Sequence, residues 1–137
     1  MSESAGTKKL TADILVQVPG RFPGVRVWKS ATGTGVPLGV VRAAIKLFQS
    51  GRIKEGARAL MSRLVHYGVT GQADLSGITP LGAPGGGGRF IQIEVKFGDD
   101  VMSDEQINWR AMILRAGGIH VIARELEQAM WDLGEQL

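Results

Sequence analysis

Apolar and polar positions alternate most clearly over residues 89–97, where Ile91, Ile93 and Val95 are interleaved with Gln92, Glu94 and Lys96. A period of two predicts a β-strand that carries Glu94 and Lys96 on one face. From residue 38 to 65 the period changes to that of a helix. Val41, Ile45 and Phe48, then Ile53, Ala57, Leu60 and Leu64, recur at helical spacing on either side of Gly51, which predicts a helical hairpin. Ser103 followed three residues later by Gln106 forms a capping box for a helix whose apolar stripe is Ile107, Ala111 and Leu114 and which stops at Gly117 and Gly118. Residues 119–123 then read as a strand and 125–133 as a last helix.

Nearer the start the pattern is weaker. Residues 1–9 are polar and predict a loose, flexible tail, and 10–18 is apolar enough for a first helix or strand. Pro19, Gly20, Pro23 and Gly24 interrupt it, 25–28 alternate as a strand does, and 32–35 break that alternation. Five of the seven residues from 82 to 88 are glycine. Their spacing matches no phosphate-cradling loop, so a flexible hairpin connection is expected there. The order after Asp74 (strand, strand, helix, strand, helix) predicts an α/β sheet flanked by helices.

The chain has 137 residues, 44% of them hydrophobic and 21% charged, which suits one compact core. It contains no cysteine, so disulfides and thiolate chemistry are excluded and any metal must be held by oxygen or histidine. No apolar run is long enough to span a bilayer and the first ten residues lack a signal-like apolar core, so a cytoplasmic protein is expected. The net charge of +3 hides a division. Residues 1–70 hold eleven basic and three acidic side chains, net +8, and residues 71–137 hold five and ten, net −5. Such a division suits a polyanion-binding surface beside a carboxylate-rich region, although ordinary solvated surface can carry it too. In the predicted hairpin Arg42 and Lys46 stand one turn apart, as do Lys54 and Arg58.

The candidate chemistry lies in Asp74, Glu94 and Lys96. Two carboxylates brought close together repel each other unless a cation sits between them, and a few carboxylates make a hard-oxygen site for Mg²⁺ or Mn²⁺. A neighbouring lysine can accept a proton or anchor a phosphate. Alone, Asp74 also fits a turn and Gln106 fits the capping box. His120 in its apolar strand reads as a buried, hydrogen-bonded histidine, Trp28 beside Lys29 could stack on a base, and Arg124 can reach a phosphate or a surface acid.

Four pieces in order (Gly-Gln-Ala-Asp-Leu-Ser-Gly-Ile at 71–78, Ile-Glu-Val-Lys at 93–96, Ser-Asp-Glu-Gln at 103–106 and Ala-Gly-Gly-Ile-His-Val-Ile-Ala-Arg at 116–124) resemble the PD-(D/E)XK nuclease superfamily. They are most similar to its virus-type replication-repair nuclease (VRR-NUC) branch. The resemblance covers about 13–133. It implies one nuclease domain over 10–137 with a restriction-endonuclease-like mixed central sheet flanked by helices, and with the hairpin at 38–66 as an insertion. It further implies that Asp74, Glu94 and the Val95 carbonyl hold Mg²⁺ or Mn²⁺, that Lys96 orients or deprotonates water, and that Gln106 hydrogen-bonds near the metal or phosphate. The first-helix acid usual in the family falls on Asp13, although the two Pro-Gly breaks after it depart from the family's pattern. The activity implied is metal-dependent hydrolysis of phosphodiester bonds in DNA, of Holliday junction or flap type, by a homodimer of a bacterial or phage-infected cell. Lys29, Arg42, Lys46 and Arg58 would contact phosphates. The rival readings are a non-cleaving nucleic-acid-binding module on the same fold and, disfavoured by the +8 half, a hydrolase of small phosphate esters.

Overall fold

The computed structural model describes residues 4–31, 33–80 and 87–137. Within them the chain runs α1 (Ala5–Arg21), β1 (Arg26–Lys29), β2 (Gly33–Gly35), α2 (Leu38–Gln49), α3 (Ile53–Met61), β3 (Val65–Tyr67), β4 (Leu75–Ile78), β5 (Phe90–Val95), α4 (Asp104–Arg115), β6 (Ile119–Ala123) and α5 (Leu126–Gln136). It divides into two compact units. One comprises the residues up to Ser30 and from Thr70 onward, and the other is Ala31–Val69.

The larger unit is a mixed α/β structure. Its four-stranded sheet has the order β1-β4-β5-β6, antiparallel between β1 and β4 and between β4 and β5, parallel between β5 and β6. A parallel pair needs a crossover, and α4 supplies it. The odd-numbered side of the sheet (Leu75, Ile91, Ile93, Val95, Ile119, Val121 and Ala123) forms one core with Leu10, Ile14 and Val18 of α1 and Ala129, Met130 and Leu133 of α5. The even-numbered side meets α4. Gly77 shows how tightly the central strand is held, because a Cβ there would lie 2.6 Å from the Arg26 carbonyl oxygen.

Residues 4–9 differ from the loose tail expected over 1–9, of which 1–3 lie outside the described residues. Ser4 caps α1 by accepting from the Thr7 N–H at 3.1 Å, so the helix begins at Ala5. Nor do Pro19 and Gly20 stop it, and α1 runs to Arg21. A proline inside a helix forfeits one backbone hydrogen bond and costs about 3 kcal/mol. The burial of Ile14 and Val18, both 0% exposed, and the Phe22 N–H to Val18 O bond at 2.9 Å hold the last turn in place. The break expected over 32–35 is instead partly strand, because β2 pairs antiparallel with β3. The smaller unit is therefore wider than the hairpin expected at 38–66, and its second helix ends at Met61. The glycine-rich connection expected over 82–88 lies, apart from Gly87 and Gly88, outside the described residues, as does Thr32.

The alternation in β5 does place Gln92 and Glu94 on one face of the strand. That face is in fact covered: Gln92 and Glu94 are 0% and 2% exposed. The reason lies in α4, whose Trp109 and Gln106 reach down onto it.

The docking of α1 through one face gives a test. Ile14→Ala should lower the unfolding free energy by about 2–5 kcal/mol, whereas Val16→Ala, on the exposed face of the same helix, should change it by less than about 0.5 kcal/mol. Urea denaturation of the two variants measures both, and equal losses would mean that α1 is not seated as described.

Candidate active site

Asp74 ends the loop before β4. The β4–β5 register, with Leu75 opposite Ile93, brings Asp74 level with Glu94 when continued by one residue, and directly paired residues project to the same side of a sheet. Two backbone contacts fix it: the Ser30 N–H donates to the Asp74 carbonyl at 2.8 Å, and the Val95 N–H donates to Asp74 Oδ2 at 2.8 Å. Asp74 is exposed, whereas Glu94, at the end of β5, is buried.

Around Glu94 the polar groups form a closed set with one gap. Lys96 Nζ lies 3.0 Å from Glu94 Oε1. Gln106 Nε2 donates to the same oxygen. Gln106 Oε1 in turn accepts from Lys96 Nζ at 2.9 Å and from the Ser103 N–H at 3.0 Å. The capping box and the site are thus one feature, since the amide that closes the first turn of α4 also joins Glu94 to Lys96. Glu94 Oε2, by contrast, is buried and has no hydrogen-bond partner. A buried carboxylate oxygen without a hydrogen-bond partner costs about 1–3 kcal/mol.

The Glu94 carboxyl is held above its ordinary range, first by burial and then by the negative charge of Asp74, while the Lys96 hydrogen bond and charge and the Gln106 hydrogen bond oppose the shift. A divalent cation beside Oε2 would reverse both of the raising causes, supplying a partner to the buried oxygen and neutralising the repulsion from Asp74. Two carboxylates, one exposed and one with a bare oxygen, are a donor set that fits Mg²⁺ or Mn²⁺ better than softer metals.

Asp13 stands apart. Its carboxylate pairs with Lys9 at 2.8 Å, one turn away on α1. Among the described residues no group of three or more histidines, aspartates and glutamates comes together as a metal site. Val95 takes part through its N–H, which holds Asp74. Lys29 lies exposed on β1 in the larger unit, and Arg42, Lys46 and Arg58 lie on α2 and α3 of the smaller one. Arg124 is engaged with the backbone, donating to the carbonyls of Gly98 at 3.0 Å and Asp100 at 2.8 Å.

Beneath the site runs a second polar set that the sequence did not single out. Gln92 Oε1 accepts from Trp109 Nε1 at 2.8 Å and from the Ala73 N–H at 3.2 Å. Gln92 Nε2 donates to Ser76 Oγ at 2.6 Å, and Ser76 Oγ lies 2.7 Å from Ser30 Oγ. These bonds tie the loop carrying Asp74 to β5 and α4. The signal was present in the spacing, for Gln92 stands two residues before Glu94 on one strand face and Trp109 three after Gln106 on one helix face. Gly71 completes the junction. Its φ is +82°, and a Cβ would lie 2.4 Å from the Glu105 carbonyl oxygen, so only glycine lets this loop meet the first turn of α4.

His120 is buried as expected, but its Nδ1 has no hydrogen-bond partner. Burial, reinforced by the Arg110 charge, lowers its pKa to about 4, so the ring is neutral near pH 7. In comparisons with known proteins no family model matches the chain, and no curated protein or solved structure matches it either.

The raised Glu94 pKa carries a sign. Between the ordinary value of 4.5 and the folded one, the native protein holds a proton that the unfolded chain has released, so this residue's contribution to stability falls as pH rises through that window. Glu94→Gln removes the titration. In metal-free buffer, the difference in unfolding free energy between Glu94→Gln and the unsubstituted protein should move in the variant's favour as pH rises above about 4.5. Parallel pH profiles in urea titrations would show that burial does not govern this carboxyl.

Proposed function

We propose that the protein is a divalent-metal-dependent DNA endonuclease of the restriction-endonuclease-like fold, acting in the cytoplasm as a VRR-NUC-type enzyme. The observation that carries the reading is the buried, unpartnered Oε2 of Glu94 beside Asp74, with Lys96 and Gln106 already locked onto the other Glu94 oxygen. The order β4, β5, α4 and parallel β6 also agrees with what the sequence resemblance implies.

Asp74 and Glu94 would hold Mg²⁺ or Mn²⁺, and the Val95 carbonyl would add an oxygen ligand. The ion supplies charge neutralisation at the phosphate and lowers the pKa of a water molecule. The chain's own residues do the remainder. Lys96, fixed by Glu94 and Gln106, orients the attacking water and takes part in its deprotonation. Gln106 holds Lys96 and Glu94 in register from the first turn of α4. The basic side chains Lys29, Arg42, Lys46 and Arg58 bind the DNA backbone, a role that needs positive charge but no base contact. Branched DNA of junction or flap type is the proposed substrate, and a homodimer brings the two active sites that a symmetric junction requires.

The second reading is a binding module that does not cut. It is favoured by one observation, that Asp13 is paired with Lys9 and leaves two carboxylates at the site. Calorimetric titration with Mg²⁺ or Mn²⁺ separates the two readings, because the binding module takes up no ion.

A panel of duplex, flap, splayed and four-way-junction DNAs incubated with Mg²⁺ and with Mn²⁺ tests the activity. Asp74→Ala and Glu94→Gln, the latter keeping a side chain that can still hydrogen-bond at the buried position, should each abolish cleavage while leaving DNA binding largely unchanged. Lys96→Met should slow single-turnover cleavage by roughly 10²- to 10⁴-fold. Cleavage at the normal rate by either carboxylate variant would overturn the assignment.

A further inference from the structure

The sheet face that carries Asp74 and Glu94 is only partly covered. Strand register places Trp28 level with Ser76 and Gln92, and Arg26 level with Ile78 and Phe90, so all of these project to one side. Over Gln92 and Glu94 that side is closed by α4, and Ser76, Gln92 and Glu94 are buried. Toward β1 and the far ends of β4 and β5 it is open. Trp28, Ile78 and Phe90 are 47%, 45% and 40% exposed, and Arg26 is exposed beside them.

Diagonal neighbours on paired strands stand about 7–8 Å apart, within reach of aromatic side chains, so these residues make one surface. Exposed apolar groups grouped in this way mark a binding surface more often than groups scattered singly. Its charge narrows the partner. On its open part β1 brings the Arg26 guanidinium, while the carboxylates of Glu94 and Asp74 lie toward the other end of the same face; the open part therefore suits an anion, and two aromatic rings suit a ligand with flat π faces. Unpaired nucleotides offer both. A duplex buries the flat faces of its bases in the stack and presents only their edges and the backbone, which would leave the two rings without a stacking partner. The position along the strand agrees, because Trp28 stands two residues from Ser30, whose N–H is bonded to the Asp74 carbonyl. Two residues of strand advance about 6.6 Å, which is within the span of one nucleotide.

We propose that this open part of the sheet binds the unpaired bases of a single-stranded nucleic-acid segment, with Trp28 stacked on the base next to the phosphate at Asp74 and Glu94. The location of that phosphate rests on the nuclease reading; the stacking surface does not. Trp28 is thus a positioning residue that sets a preference for substrates with an unpaired segment beside the cleaved bond.

The experiment measures binding alone, with the full chain in EDTA. Fluorescence anisotropy follows a labelled oligo(dT) and a blunt duplex of equal length. Trp28→Ala should weaken oligo(dT) binding roughly 5- to 100-fold and duplex binding by less than about twofold, while Trp28→Phe, which keeps a ring, should retain most of the oligo(dT) affinity. The unsubstituted protein gives a second measurement that no folding defect can disturb: ultraviolet crosslinking of an oligonucleotide carrying 5-iododeoxyuridine should label the peptide containing Trp28 or that containing Phe90. Unchanged oligo(dT) binding, equal loss on both DNAs, or crosslinks confined to other peptides would overturn the proposal. So would sedimentation showing that Trp28→Ala dissociates an oligomer, because the patch would then be a contact between copies. The two readings fail separately: if Asp74→Ala still cuts but the Trp28 results hold, the metal site is wrong and the stacking surface stands.

Discussion

A carboxylate taken out of water must be given something in return, and the arrangement around Glu94 is organised by that requirement. One of its oxygens receives Lys96 and Gln106, and the other receives no hydrogen bond from the described residues. Burial and the neighbouring Asp74 push the carboxyl toward its neutral form, while Lys96 and Gln106 pull it toward the charged one. A group held between such opposed influences responds strongly to a further charge, which is the condition a cation site needs. The hydrophobic core on the other side of the sheet makes this possible, since α1 and α5 supply the burial that keeps β5 rigid while its opposite face carries polar groups.

Much of this was legible in the sequence, and for identifiable reasons. The alternation in β5, the Ser103–Gln106 capping box and the Gly117–Gly118 stop are local patterns, and local patterns survive folding unchanged. The grouping of Asp74 with Glu94 follows from strand pairing once the intervening hairpin is assumed. What the sequence hid was tertiary. Alternation cannot say whether a polar strand face meets water or a helix, and here Trp109 and Gln106 cover it. The proline rule failed at Pro19 because the packing of Ile14 and Val18 outweighs one lost hydrogen bond. The start of α1 was misjudged because a short polar stretch with a serine cap reads as a tail unless the cap is given weight.

Asp13 illustrates a different limit. Its position on the first helix is what a family pattern would ask of a third ligand, but a lysine one turn earlier on the same helix meets its charge. Residue type and order along a chain do not determine which partner a side chain takes when a local one is available at i−4. Two carboxylates and an ordered amine remain at the candidate site.

Gln106 serves two structures with one amide. Its oxygen closes the amino end of α4 and steadies Lys96, and its nitrogen reaches Glu94, so the helix cannot fray at that end without the cluster coming apart. The Gly71 turn, pressed against Glu105, gives that end no room to settle elsewhere. The cluster therefore exists only where this end of α4 is folded against the sheet. In a chain whose α4 has come away, Glu94 and Lys96 still neighbour each other along the strand, but the amide that joins them is gone.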